Sequence, residues 1–578
     1  MSRFFSSRAA RRAATPRAFS TRSAGYSSLA LAALWHLPAA FAAPAAPLST
    51  TTATTTTTTH ATTTAAGQPV SVVHVTAAPL DAEMLGPDPA AIKRPPNTPI
   101  PPSGVPVLPI SGLSPFGMLP IVPSEVKHSF HQIELDAISK GEGPSALLPA
   151  WLDAQRDKDL EDPYYVPTAG TGHLVEPLMP FRNSLKDKGF SFSLSYKGEW
   201  MGLFSGGLPN EHGNSYVHEL TLQGTFDLGK MAPSLNGWSV HTLVMERAGK
   251  AYQNRVGEQF VALQEVYTLS GNVAAHLVDM YAEKKFRNNT MDVIFGRMSL
   301  THVFATSPLL CSFQVTCSAP AALKQNPGFS VYPKATWGAR LRFRPTRDTA
   351  LQVGAYSVSA LSDNPSGWAW GAENATGLSL PIEFTWAPFL TRNRLPGHYV
   401  VGYAHDTTRY ADKINAALPA SVLNHMPDVH SGPSDMFWLE TDQMIYRLGG
   451  RNQMAGGYLM AGYVHVTPRA VNVSDQAYGG FSLVGLIPSR VADRFGVLYS
   501  WYKVSDRRRE SQMIAQDMGL PLGVRGVQND SHIIEAYYSI DALPGLLIQP
   551  EFQYMIHPGE THNIPNSAAM GLKIIGNL

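Results

Sequence analysis

The sequence predicts an all-β protein: a transmembrane antiparallel β-barrel of about sixteen strands, behind an unstructured N-terminal extension and short periplasmic helices. Three observations predict it. The chain begins like an exported protein, it has no apolar run of the roughly 18 residues that a helical span needs, and apolar and polar residues alternate with period two from residue 190 onward.

The N-terminal signal comes first. Residues 1–80 contain no acidic side chain, and Arg3, Arg8, Arg11, Arg12, Arg17 and Arg22 precede an apolar run from Ser27 to Leu37. Ala40-Phe41-Ala42 follows, so the pattern is a positive start, an apolar core and an A-x-A site, which reads as a signal peptide over 1–42. A mitochondrial transit peptide shares the Arg- and Ser-rich, acid-free composition, but the ordered three-part pattern favours export.

Residues 43–123 change character. Thr50 to Thr64 is threonine broken only by Ala53, His60 and Ala61, and a proline-rich stretch runs from Pro79 to Pro123. Such a segment buries too little apolar surface to offset its chain entropy, and it reads as a disordered tether. Over 124–188, helical spacing appears twice: Val126, Phe130, Ile133, Leu135 and Ile138, then Leu178, Phe181 and Leu185. These segments are expected as short helices near the periplasmic mouth.

The barrel is expected over 189–578. In Phe190-Ser191-Phe192-Ser193-Leu194-Ser195-Tyr196-Lys197 one face is apolar and the other hydroxyl or amine. Leu220, Leu222 and Phe226 oppose Glu219, Thr221 and Gln223; Ala339, Leu341 and Phe343 oppose Arg340, Arg342 and Arg344; and Ile548, Phe552, Tyr554 and Ile556 oppose Gln549, Glu551 and Gln553. Turn signals separate the runs: Asn288-Asn289, Pro345-Thr346-Arg347-Asp348, Leu395-Pro396-Gly397 and Leu543-Pro544-Gly545. Met570, Leu572 and Ile574 alternate with Ala569, Gly571 and Lys573 as a closing strand should, before a C-terminal Gly576-Asn577-Leu578 that lacks the usual terminal aromatic. Soluble sandwiches also alternate, but their strands average about five or six residues. Many runs here reach the roughly ten residues that cross a bilayer at a tilt. Trp200, Trp238, Trp386, Tyr399, Trp501 and Tyr502 sit near strand ends, as an interfacial aromatic girdle requires. Around Asp442 and Gln443 the parity is ambiguous, and a bulge is expected there.

Charge excludes one class of partner. Lys plus Arg (45) and Asp plus Glu (44) nearly cancel, so the chain lacks the basic field of a nucleic-acid binder. Cys311 and Cys317 lie close together between Ser and Pro residues, which suits a loop disulfide in an oxidising compartment; two free thiols are the alternative. No Cys or His spacing marks a zinc site, and neither metal nor cofactor is expected. There is no G-x-S-x-G elbow, no H-E-x-x-H and no phosphate loop. A barrel enzyme of the lipase or deacylase kind, or an adhesin using the long tether, are the two other function classes.

From about residue 175 to the end the chain resembles the OprB-type carbohydrate-selective porins of bacterial outer membranes. The resemblance rests on Tyr332-Pro333, the run Gly338 to Pro345, Asp442-Gln443-Met444-Ile445-Tyr446-Arg447, Gly479-Gly480-Phe481, Gly485 to Arg490 with Asp493, Gln549 to Tyr554, and His557-Pro558-Gly559. It implies a sixteen-stranded barrel through which glucose and similar sugars diffuse. The partners to expect are small sugars, outer-membrane lipid and the barrel assembly machinery, with the barrel a monomer or a homotrimer. Sugars are neutral polyols, so their passage calls for dense donors and acceptors with little net field. Parity offers Arg340, Arg342, Glu383, Glu535, Gln549, Glu551 and Gln553 as lumen-facing candidates, with Arg340 and Arg342 at a constriction, a carboxylate such as Glu551 beside them, and Arg344 nearer the mouth.

Overall fold

The structure, a computed structural model, describes residues 60–63, 69–72, 174 and 179–577, apart from short turn and loop segments within the last range. The expected signal peptide, most of the tether, the helical segment near residues 124–155, the Asn288-Asn289 turn and Leu578 lie outside the described residues. The chain divides into two units, Met1–Ala78 and Pro79–Leu578. In the first, His60–Thr63 pairs antiparallel with Pro69–Val72, a short ladder inside the stretch read as a tether; its Thr and Val residues favour extended backbone.

The second unit opens with helix α1 (Met179–Asp187), inside the second segment read as helical. Arg182 Nη2 ties it to the barrel by donating to the carbonyl of Phe192 at 2.9 Å. Sixteen strands follow. They are β1 (Phe190–Ser205), β2 (Gly213–Asp227), β3 (Trp238–Gly249), β4 (Val273–Phe286), β5 (Met291–Met298) and β6 (Thr336–Thr346). Next come β7 (Thr349–Ser359), β8 (Ala375–Trp386), β9 (Leu395–Tyr410), β10 (Gly432–Arg447) and β11 (Gly456–Val466). The last are β12 (Val473–Val484), β13 (Arg494–Val504), β14 (Asp530–Leu543), β15 (Leu546–Ile556) and β16 (Ser567–Asn577). Sequence neighbours pair antiparallel and β16 pairs with β1, so the sheet has no free edge.

Alternation builds the wall. On β8, Leu378, Leu380, Ile382 and Phe384 are 39–47% exposed on the outer face while Ser379 and Glu383 are buried on the inner one. The same rule corrects one expectation. Trp501 and Tyr502 are consecutive, so they cannot share a face; Trp501 is the outward one and Tyr502 is wholly buried inside. Trp386 and Tyr399 do lie together near one end, their ring centres 5.2 Å apart.

A second correction concerns Leu395-Pro396-Gly397, which is not a turn. Leu395 and Pro396 pair with Leu390 and Phe389, and Gly397 pairs with Gln443, so β9 starts there. Proline is tolerated at a strand's first positions, where its missing N–H leaves the ladder intact. The irregularity expected near Asp442 falls slightly later, a register shift between Met444 and Tyr446, with Asp442 inward.

Connections at one end are short, such as that between Thr346 and Thr349. Those at the other end are long, notably 250–272, 299–335, 411–431 and 505–529. The last two pack together: helix α2 (Asp506–Asp517) presents Arg507, whose Nη2 is 2.8 Å from Asp412.

Candidate functional site in the barrel lumen

The seven parity candidates all face inward and are nearly inaccessible to solvent, from 1% for Arg340 and Glu535 to 5% for Glu551. Two long connections explain that burial. The described residues of 250–272, the first internal loop, and of 299–335, the second, fold into the barrel, and most candidates seat them.

Glu383 on β8 is the clearest seat. Its carboxylate accepts hydrogen bonds from the Ala305 amide (2.7 Å), Trp438 Nε1 (2.8 Å) and Gln352 Nε2 (2.7 Å). Gln352 Nε2 also donates to the Val303 carbonyl at 2.8 Å. Trp438 reaches across because it lies over Gly402, its register partner; a Cβ there would come within 1.8 Å of the indole. On the other side of the loop, Glu535 accepts from the amides of Gln314 and Val315, the latter at 3.1 Å. Gln549 Nε2 donates to the Ser312 carbonyl (2.9 Å) and to Glu551 (2.6 Å). Further along, Gln476 Oε1 accepts from the Ala322 amide at 2.9 Å, and Asn326 Nδ2 donates to Ser434 at 2.6 Å.

The three loop residues held by β14 and β15, Ser312, Gln314 and Val315, lie between Cys311 and Cys317, which are bonded to one another. The bridge closes so short a segment that its effect on global stability is small; what it restricts is the shape presented to Glu535 and Gln549. Alkylation of the denatured protein without reductant should leave its intact mass unchanged, since both sulfurs, buried in the folded chain, are then accessible. Two added labels would show that the thiols are free.

The first internal loop is held by charge. Glu265 bridges Lys197 of β1 and Lys573 of β16, the latter at 2.8 Å, and all three are buried. Burial alone raises the Glu265 carboxyl, but the two ammonium groups outweigh it and hold the group below the usual carboxylate range. Gln553 receives a hydrogen bond from the Tyr252 hydroxyl and donates to the Leu263 carbonyl at 2.9 Å. Gln325 Nε2 donates to the Phe260 carbonyl and so links the two loops.

Arg340 and Arg342 form a separate group. Asp292 on β5 lies 2.6 Å from Arg340 Nη1, 2.9 Å from Arg342 Nε and 2.9 Å from Arg344 Nη1. The carboxylate beside these arginines is therefore Asp292 of the neighbouring strand; Glu551 instead accepts from Gln549. Arg344, placed near the mouth by its position beside the turn, shares that carboxylate.

Sequence reasoning missed Asp292, although the parity of Met291–Met298 would have turned it inward. Glu265 had no such signal, because it lies in a loop without period. A cleft of about 480 Å³ opens at the end of the long connections, with Gln259, Arg525, Gln528 and Thr561 among its lining. The lumen wall carries polar side chains that are mostly neutral or paired, which lets hydroxyl-rich solutes exchange hydrogen bonds without a strong field.

The model of the OprB family, carbohydrate-selective porins, matches residues 211–578. The chain belongs to that family. Porin B of Pseudomonas aeruginosa is 25% identical over 415 residues, which cover 68% of this chain and 88% of that protein. QuiX of Acinetobacter baylyi is 24% identical over 421 residues, covering 68% of this chain and 90% of that protein. The high-pH structure of Pseudomonas putida OprB shares the fold, with a TM-score of 0.65 and 23% identity over 71% of this chain and 99% of that one. This porin is thus an outer-membrane channel for small sugars, its short turns periplasmic and its long connections extracellular. Family and fold are those of a channel rather than an enzyme.

Proposed function

We propose that sugars cross by passive diffusion through the space that the two internal loops leave against the wall, and that Arg340 and Arg342 set its narrowest part. The observation that supports this is the triple arginine grip on Asp292: a dense donor array on the inner wall, partly neutralised by its own carboxylate. Arg340 and Arg342 are 1% and 3% exposed, so they narrow the passage chiefly by holding Asp292 and the wall in place, and a solute that must leave as readily as it enters is bound weakly. Glu383, Glu535, Gln549, Glu551 and Gln553 act in this reading mainly by positioning the loops. Residues 1–42 serve as the export signal and 43–123 as a tether, and the chain performs no catalysis.

Planar-bilayer recordings with glucose as blocker test the reading. Arg340→Ala with Arg342→Ala should raise salt conductance and weaken the glucose block. Arg344→Ala should do less, because Arg340 and Arg342 still hold Asp292. A double variant that conducts and is blocked like the parent would place the constriction elsewhere.

A further inference from the structure

The sequence offered no spacing that marks a metal site, yet among the described residues the fold assembles one set of donors away from the lumen. Asp530 and His532 are two residues apart at the extracellular end of β14, on the face opposite the inward Ser531 and Ile533. His557 follows the last residue of β15, and its neighbour Ile556 pairs with His532. Three donor atoms, one from each of Asp530, His532 and His557, lie within 4.8 Å of one another. We propose that these three residues form a zinc-binding site on the outer rim of the barrel.

The geometry is close to what the ion needs. His532 Nε2 is 3.7 Å and His557 Nδ1 is 3.6 Å from the Asp530 carboxylate. Ligand atoms about 2.0–2.2 Å from a tetrahedral zinc are separated by roughly 3.3–3.6 Å, so donors that lie within 4.8 Å of one another, the two imidazoles beside different oxygens of Asp530, close on the ion by contracting up to roughly 1 Å.

The surroundings orient each donor. His532 Nδ1 lies 2.7 Å from the Tyr499 hydroxyl, which directs the other ring nitrogen at Asp530, as partners of metal-binding imidazoles commonly do. Trp501 Nε1 at 3.3 Å and Asn529 Nδ2 at 3.0 Å donate to Asp530. His557 Nδ1 is shielded from solvent and has no hydrogen-bond partner. The His557 backbone is left-handed (φ 55°, ψ 59°), its amide donates to Asn566 Oδ1 at 3.2 Å, and its carbonyl accepts from the Glu560 amide at 2.9 Å. The side chain is thereby aimed by the turn that carries it.

The donor types favour a transition-metal cation as well. His562 lies with its ring centre 3.8 Å from that of His557. His562 thus adds a further imidazole beside the three donors. Two imidazoles and one carboxylate suit a borderline ion such as zinc; calcium and magnesium prefer all-oxygen shells. The side chains remain 22–23% exposed, which leaves the ion a path and an open coordination position for water. Bound zinc would clip the β15–β16 connection to the start of β14.

Tag-free, full-length porin extracted in detergent is titrated with zinc against a chromophoric chelator, with calcium as control. One zinc per chain, no competition by calcium, and at least a tenfold loss of affinity in His532→Gln with His557→Gln are expected. Heat-modifiable gel migration verifies that the variant is folded, and His241→Gln, on β3, should bind like the parent. Equal zinc affinity in the parent and the folded double variant, or no zinc bound by the parent, overturns the site.

Discussion

Glu265→Ala should free the first internal loop from the barrel wall, raise single-channel conductance and lower the temperature of the heat-modifiable transition. The variant leaves Lys197 and Lys573 in a buried site without the carboxylate that bridges them, and only Glu199, Glu551 and Glu535 nearby to offset part of their repulsion. Removing one partner from such a group costs about 3–5 kcal/mol, which shifts the ratio of docked to released loop by roughly two to four orders of magnitude. Glu265→Gln keeps the shape and an acceptor oxygen and should lie between the two. A conductance unchanged in Glu265→Ala would show that the loop is held by its other contacts.

The same ion pairs carry a pH signature. The Glu265 carboxyl is lowered when the loop is docked, so its contribution is fully present above the free carboxylate value of about 4.3. It is lost as pH falls through the docked value. The part of the conductance that depends on Glu265 should be level from neutral down to about pH 5 and rise at more acid values. Glu199, Glu535 and Lys324 also face this cluster from β1, β14 and the second loop, so the comparison belongs against Glu265→Gln, in which the acid rise should shrink.

Glu383→Ala with Glu535→Ala should act on the second loop from both sides. The first change strands the Ala305 amide, the Trp438 indole and one donor of Gln352; the second strands the amides of Gln314 and Val315. Each unsatisfied buried donor costs about 1–3 kcal/mol, although water entering the lumen recovers part of it. The expected result is higher conductance with noisier open-channel current and a weaker glucose block, in a barrel that still migrates as folded. A quiet channel with parental block would mean that Gln549, Gln476 and the disulfide suffice to seat the loop.

Period two is a local property, and it placed Arg340, Arg342, Glu383, Glu535, Gln549, Glu551 and Gln553 on the inner face from short stretches alone. What those residues touch was not legible, because their partners are chosen by closure of the barrel. The Arg340 and Arg342 partner came from the adjacent strand, where a parity reading of β5 could have found it. The partners of Gln553 and Glu535 are loop atoms with no periodic signal. Composition also misled at Leu395-Pro396-Gly397, where proline marks a strand start, while Leu543-Pro544-Gly545 does separate β14 from β15, with Gly545 in the left-handed region at φ 82°. The motif residues Arg490 and Asp493 turned out to fasten a turn: Asp493 binds Arg490 and receives hydrogen bonds from the Tyr538 hydroxyl and the Asp541 amide.

The seats of the internal loops lie far down the chain. Tyr252 meets Gln553 across 301 residues, Lys573 meets Glu265 across 308, and Val315 meets Glu535 across 220. Without its last strands the chain therefore holds the loops only by their earlier seats, Lys197 for the first and Glu383, Ser434 and Gln476 for the second. Contacts of such sequence separation form late and slowly. The strands that close the sheet thus also complete the seating of both loops, so closure and narrowing of the pore are coupled in one step.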